Sequence, residues 1–107
     1  MTSPVVILPE VEDAVRRMAQ WWAEHHSPRE AEVWFNGVYD AFYELEDNSH
    51  RFPLASENDQ FPYDVRVMNY GVSSRPTHRV LYTIRPDAVV VISIRAAKQK
   101  DATPDDL

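Results

Sequence analysis

The apolar positions along this chain recur with a helical period in two stretches of its first half. Residues 11–22 and 31–45 place apolar side chains at i, i+3, i+4 and i+7, which predicts helices over 10–25 and 28–46. The sequence Ser-Pro-Arg-Glu at 27–30 is a capping box with proline at the first helical position. We therefore expect a helical hairpin joined by a turn of two or three residues.

Short runs of β-branched, aromatic and other apolar residues predict four strands, over 5–8, 64–70, 77–84 and 88–95. The first run is continuously apolar, which predicts a buried strand that ends at Pro9. The last two runs flank the turn residues Pro86 and Asp87 and are typical of a β-hairpin. The order β-α-α-β-β-β predicts an α+β fold, in which the helical hairpin packs on a mainly antiparallel sheet.

Composition narrows the class of protein. With 107 residues and 44% hydrophobic content, the chain is expected to form one domain over 1–107, with an ordered core over about 5–98. Residues 101–107 are expected to fray. Cysteine is absent, and the adjacent His25 and His26 lack the i, i+4 spacing of helical metal ligands, so we expect no metal and no cofactor. Neither a signal peptide nor a membrane-spanning run is visible, and a cytoplasmic location is expected.

Charge is divided unevenly along the chain. The net charge of −6 argues against a general nucleic-acid-binding protein. Residues 1–60 carry a net charge of −8, whereas residues 61–100 carry +5 and residues 101–107 carry −3. Arg79 and Arg95 lie inside the two strands of the predicted hairpin, which indicates a sheet whose open face binds an anionic partner. The alternative, in which the charges only solvate two different surfaces, stays open.

Three stretches give the sequence a resemblance to a known family: residues 50–58 (HRFPLASEN), the pair Tyr70-Gly71, and residues 78–82 (HRVLY). With these features and the predicted element order, the chain resembles the RelE/ParE superfamily of bacterial type II toxin-antitoxin, or plasmid stabilisation, toxins over residues 5 to about 98. The resemblance implies a toxin that a small antitoxin neutralises. RelE-like members cleave mRNA on the ribosome, whereas ParE-like members poison DNA gyrase.

The resemblance also suggests candidate catalytic residues. Arg79 matches the strand arginine with which RelE-like nucleases stabilise the phosphate, and Arg66 stands where such nucleases often carry a strand lysine. Arg95 precedes Ala96, where many relatives have histidine, and no tyrosine follows Tyr82. Because arginine is a poor proton donor or acceptor at physiological pH, the usual acid-base group for RNA cleavage is missing. Catalytic roles for Arg79, Arg95 and Arg66 are therefore hypotheses, and whether the chain is an enzyme stays open.

These residues also have structural interpretations. Arg79 could instead pair with a carboxylate such as Glu57 across the sheet. His78 is expected to face the surface or a loop, away from any substrate that Arg79 contacts, because neighbouring strand residues point to opposite faces. The remaining basic residues that we expect to bind an anion or a partner are Arg75, Lys98 and Lys100.

The favoured hypothesis is a toxin that is neutralised by its cognate antitoxin and acts by a ParE-like (gyrase) or other non-nucleolytic route. The alternatives are a RelE-like ribosome-dependent mRNA endonuclease and a catalytically inactive relative that serves as an antitoxin-binding regulatory module. Sheet edges and a groove between helices and sheet suit an antitoxin segment, and the basic stretch 61–100 is its expected target. Ribosome, mRNA, gyrase and a second copy of the chain stay open as partners. The side chains of Trp21, Trp22 and Trp34 are expected mainly in the core. One of the adjacent pair Trp21 and Trp22 is expected to face partly outward.

Overall fold

The helical hairpin forms as the apolar periodicity predicts. The computed structural model describes residues 3–73, 75–99 and 101–104. The helix α1 covers Pro9–His25 and α2 covers Pro28–Asn48, so α2 continues slightly beyond its predicted end. The Ser27 hydroxyl accepts a hydrogen bond from the Glu30 N–H at 3.1 Å, which is the predicted N-cap of α2.

One four-stranded sheet follows the order β1-β4-β3-β2, with strands β1 Val5–Ile7, β2 Arg66–Tyr70, β3 His78–Ile84 and β4 Val89–Ala96. The strands β2, β3 and β4 are antiparallel, and β1 pairs in parallel with β4. A tight turn joins β3 to β4, in which the Arg85 N–H donates to the Ala88 carbonyl at 2.8 Å. The α+β class and the β-α-α-β-β-β order are therefore confirmed.

The larger core lies between the helical hairpin and one face of the sheet. Its fully buried side chains include Trp34, Val38 and Phe42 from α2, which pack with Val80 and Tyr82 of β3. These α2 residues are the predicted apolar stripe of that helix. Burying this stripe against the sheet is what orients the two helices, since apolar burial contributes roughly 25 cal/mol per Å² of surface removed from water.

The second face of the sheet is also covered, contrary to the open face expected from the sequence. The connection between α2 and β2 crosses it and buries Phe61 and Val65 against Leu81 of β3. The chain beyond β4 adds Ala102, which is fully buried in the same cluster. Residues 101–104 therefore differ from the frayed tail expected over 101–107, and residues 105–107 of that expectation lie outside the described residues. Each segment contributes only a few apolar side chains, so neither produced a periodic signal.

The strand β1 lies at the edge of the sheet, and the expectation that it would be buried was wrong. Val6 is 45% exposed, and β1 pairs only with Val89–Val91 of β4. A continuous apolar run does not distinguish a strand covered on both faces from a short edge strand.

Among the described residues, no helix is both long and apolar enough to cross a bilayer.

Candidate functional site

Arg79 forms an ion pair with Glu57 on the face of the sheet that the α2–β2 connection covers. One guanidinium nitrogen of Arg79 donates to Glu57 Oε1, and another lies 3.9 Å from Asp101 Oδ1. The Arg79 side chain is 15% exposed, whereas that of Glu57 is completely buried. The structural interpretation, in which Arg79 pairs with Glu57 across the sheet, is therefore correct for the folded chain.

The carboxylate of Glu57 holds the C-terminal segment as well as Arg79. Its second oxygen accepts a hydrogen bond from the Ala102 N–H at 2.9 Å, and the Ser56 hydroxyl bridges Glu57 and Asp101 at 3.3 and 3.1 Å. Burial acts to raise the pKa of Glu57, but the hydrogen bonds from Arg79 and Ala102 outweigh it and hold that pKa below its ordinary value. Glu57 is therefore ionised at neutral pH and neutralises Arg79. We call Ser56, Glu57, Arg79, Asp101 and Ala102 the Glu57 cluster.

Arg95 lies directly opposite Arg79 in the β3–β4 ladder, so the two arginines share one face of the sheet. The Cα atoms of directly opposed residues are about 4.5–5.5 Å apart. Arg95 is 8% exposed and lines a cavity of about 250 Å³ between α1 and β4, together with Glu10, Arg17 and Gln99. The structure thus brings two of the candidate catalytic arginines to adjacent positions.

Arg66 is not part of that pair. It lies opposite Tyr82, whose side chain belongs to the core on the helical face of the sheet. Its guanidinium donates to the Phe52 carbonyl at 2.5 Å, which ties the α2–β2 connection to β2. Burial raises the pKa of Tyr82 to about 12 although Arg66 acts to lower it, and the Tyr82 hydroxyl donates to the Ser49 carbonyl at 2.6 Å. These contacts keep Tyr82 neutral and structural.

The basic residues Arg75 and Lys98 come together at the end of the sheet where β2 turns into β3 and β4 ends. Both line a shallow depression of about 490 Å³ that also contains Thr77 and Ala96. The third residue predicted to bind an anion or partner, Lys100, lies outside the described residues. Two of the three thus form one basic surface that is separate from the Glu57 cluster.

His78 is buried, and the expectation that it faces the surface was wrong. It is 8% exposed, its ring centroid lies 5.0 Å from that of Trp34, and its Nδ1 is 2.8 Å from Thr77 Oγ1. Burial lowers the pKa of His78, so the imidazole is neutral at pH 7. As expected, it lies on the opposite side of the sheet from Arg79. The expectation failed because the alternation of residues in a strand does not indicate how far α2 extends over that end of the sheet.

The three tryptophans divide as expected. Trp34 is completely buried, Trp22 is half-buried, and Trp21 is 49% exposed. Trp21 stacks on His25 at a centroid distance of 4.4 Å, and Trp22 lies 4.4 Å from the His26 ring. Among the described residues, no group of three or more His, Cys, Asp or Glu could hold a metal ion.

Several residues of the Glu57 cluster were not predicted from the sequence. Glu57 was named only as one carboxylate that Arg79 could meet, and Ser56, Asp101 and Ala102 were not named as partners. A signal existed in part, because Ser56 and Glu57 lie inside the stretch 50–58 that carries the family resemblance. Nothing in the pattern connected that stretch to residues more than forty positions away, such as Asp101.

Comparisons with known proteins agree with this architecture. A sequence model of the family described as "ParE toxin of type II toxin-antitoxin system, parDE" matches residues 5–101. The solved structure described as "Chromosomal ParDE TA system from P. aeruginosa" superposes with a TM-score of 0.72 at 8% sequence identity. That alignment covers 91% of this chain and 98% of the other, and at this identity it concerns the fold. No curated protein matches the sequence.

Proposed function

Because the chain belongs to the family of ParE toxins of type II toxin-antitoxin systems, we propose that it is neutralised by a cognate antitoxin and inhibits growth through a ParE-like action on DNA gyrase, without cleaving RNA. The observation that carries the proposal is the Glu57 cluster. The arginine that matches the phosphate-stabilising residue of RelE-like nucleases is neutralised by a buried carboxylate and faces a second one.

The chemistry of RNA cleavage explains why this matters. Attack by a 2′-hydroxyl needs a base for that hydroxyl, an acid for the leaving oxygen, and a cation for the negative charge that develops on the phosphate. Arg79 could offer that cation only after giving up Glu57, whose buried charge would then be uncompensated, at a cost of about 3–5 kcal/mol. An enzyme would have to recover this energy from substrate binding before any catalysis occurred.

The acid-base groups are no better placed. Ala96 occupies the position where many relatives carry histidine, and the sequence has no tyrosine after Tyr82. His78 lies on the opposite face of the sheet, packed on Trp34. Tyr82 is buried and keeps its proton far above neutral pH. These observations support a toxin whose action depends on binding a target.

The experiment that tests the proposal compares two targets with one preparation of antitoxin-free protein. Purified gyrase and supercoiled plasmid report gyrase poisoning as trapped double-strand breaks, and a cell-free translation reaction reports mRNA cleavage as new 5′ ends in primer extension. We expect trapped breaks that disappear when the antitoxin is added, together with intact mRNA and normal protein synthesis. Cuts at ribosome-occupied codons, with gyrase unaffected, would overturn the proposal in favour of the endonuclease.

A matched pair of variants sharpens this assay. Arg85→Ala removes an exposed arginine from the β3–β4 turn, whereas Lys98→Ala removes an exposed lysine from the basic surface near the end of β4. If the protein were a nuclease that uses basic residues near its C-terminus, Lys98→Ala should reduce cutting while Arg85→Ala does not. If both assays stay silent for the unmodified chain, the action on DNA gyrase proposed here is wrong.

A further inference from the structure

The outer side of α2 carries a row of aromatic residues that the fold leaves partly uncovered. Phe35, Tyr39 and Tyr43 follow one another at i, i+4 and i+8, and their successive ring centroids are 5.0 and 6.4 Å apart. Phe35 and Tyr39 are half-buried, whereas Tyr43, at the end of the row, is 54% exposed. A large exposed tyrosine that continues a packed aromatic row offers a protein partner an apolar body with a polar tip.

The charges around this row are all of one sign. Between residues 32 and 47, α2 contains no Lys, Arg or His, and its five carboxylates in that span are all exposed: Glu32, Asp40, Glu44, Glu46 and Asp47. Among the described residues, none of these carboxylates takes part in an ion pair. We call the five carboxylates together with Tyr43 the α2 acidic face.

This arrangement of charges works against the helix that carries it. Asp40 and Glu44 are spaced i, i+4, where like charges repel each other. Glu46 and Asp47 lie in the last turn, at the negative end of the helix dipole, and that turn has no basic residue. By contrast, the last turn of α1 contains the basic residue His25. The described part of the fold therefore gains nothing from the α2 acidic face, which points to a partner outside the chain.

Charge restricts the class of that partner. A nucleic acid or an anionic lipid surface would be repelled by the α2 acidic face, and a second copy of the chain also has a net charge of −6. The complementary partner is a protein with a cationic surface and some apolar area for Tyr43. Enzymes that act on DNA present such surfaces, because they neutralise phosphates with Lys and Arg.

We propose that the α2 acidic face is the surface through which this chain binds gyrase, and that it docks on a cationic patch of that enzyme. This inference rests on the proposed function, since it assigns the contact surface for the proposed target. The carboxylates speed the encounter and fix its orientation, while Tyr43 supplies the buried anchor of the interface. The basic surface with Arg75 and Lys98 shares no lining residue with α2, so the two surfaces can be tested separately.

The test measures binding of the antitoxin-free chain to immobilised purified gyrase by biolayer interferometry, at several salt concentrations. The double variant Asp40→Lys with Glu44→Lys reverses the charge of the face, and Asp87→Lys in the exposed β3–β4 turn is the matched control. We expect the double variant to weaken binding by at least about tenfold and to reduce the dependence of affinity on ionic strength. The control should stay within about threefold of the unmodified chain.

Thermal melts of the same variants separate a binding role from a structural one. Because two lysines relieve the repulsion along α2, the Tm of the double variant should equal or exceed that of the unmodified chain although binding is weaker. Tyr43→Ala tests the anchor, with Leu54→Ala as its control because Leu54 is 49% exposed on the α2–β2 connection. We expect Tyr43→Ala to weaken binding by about tenfold without changing its dependence on ionic strength, and Leu54→Ala to have little effect.

The outcomes distinguish this inference from the proposed function. If the unmodified chain traps double-strand breaks but the double variant binds gyrase as tightly, or Asp87→Lys weakens binding equally, the inference is overturned and the proposed function stands. Salt-sensitive self-association that Lys98→Glu abolishes would also overturn it, since the α2 acidic face would then meet the basic surface of a second copy. If the unmodified chain neither binds gyrase nor traps breaks, both are overturned.

Discussion

Removing the positive charge of Arg79 should destabilise the fold strongly. The variant Arg79→Met keeps an apolar stem of similar length but leaves the Glu57 carboxylate, which is completely buried, without its cation. Removing one partner of a buried ion pair typically costs about 3–5 kcal/mol. For a domain of this size, 1 kcal/mol lowers Tm by roughly 4 °C, so we expect a fall of about 12–20 °C.

The assay is urea unfolding at pH 7 followed by fluorescence, with Arg85→Ala as the control because that arginine lies in the exposed β3–β4 turn. The control should stay within about 0.5 kcal/mol of the unmodified chain. In the double variant with Glu57→Gln, the buried charge is gone. The double variant should therefore lose less stability than the two single variants together, by about 0.5–3 kcal/mol.

The pH dependence of stability adds a second readout. The pKa of Glu57 is held low, so its stabilising contribution is full above about pH 4.3, the ordinary value, and is lost as the pH falls through the lowered pKa.

The reasoning would be refuted if the free energy of unfolding of Arg79→Met at pH 7 is nearly that of the unmodified chain. It would also be refuted if adding Glu57→Gln to Arg79→Met recovers none of the lost stability. Either result would mean that Arg79 and Glu57 are not coupled in solution and that Arg79 is available to bind a phosphate. The endonuclease hypothesis would then regain its principal cation.

Three further changes test other parts of the structure. A Cβ on Gly37 would lie 2.2 Å from the Tyr70 hydroxyl oxygen and 3.3 Å from the ring carbon that bears it. Gly37→Ala should therefore destabilise the unmodified chain in urea melts and cost less in a Tyr70→Phe background, where only the ring contact remains; an equal loss in both backgrounds would contradict the steric explanation. Ser27→Ala should cost about 1 kcal/mol in the same melts because α2 loses its N-cap bond to the Glu30 N–H, and an unchanged midpoint would show that the cap is dispensable. The pKa of His78 is lowered by burial, so between its folded and unfolded pKa values the unfolded chain binds the extra proton, and stability should fall below about pH 6.5 by up to about 1.4 kcal/mol per pH unit. His78→Gln should flatten that slope just below pH 6.5, and an unaltered slope would assign it to another group.

The parts of the fold that could be predicted are those specified by local periodicity. The α2 stripe and the Ser27 cap are written in consecutive residues, and the Pro86-Asp87 turn sets the β3–β4 pairing. What could not be predicted depends on contacts between distant segments. The cover of the second face joins residues 49–65 and the chain after β4 to the sheet, and each piece is too short to carry a period of its own.

The same division separates the two readings of Arg79. From the sequence, an arginine inside a strand is equally compatible with a ligand-binding group and with an ion pair, and only the position of Glu57 decides between them. That position depends on a connection that doubles back over the sheet and on Ala102, which holds the same carboxylate from the other side. Loss of toxicity in an Arg79→Ala variant would therefore not identify a catalytic residue, because the same change removes the cation that neutralises a buried charge. Toxicity of the double variant Arg79→Met with Glu57→Gln, compared with that of the single variant Arg79→Met, separates the two roles. If the double variant is folded and toxic, Arg79 stabilises the fold; if it is folded and not toxic, Arg79 also contacts the target.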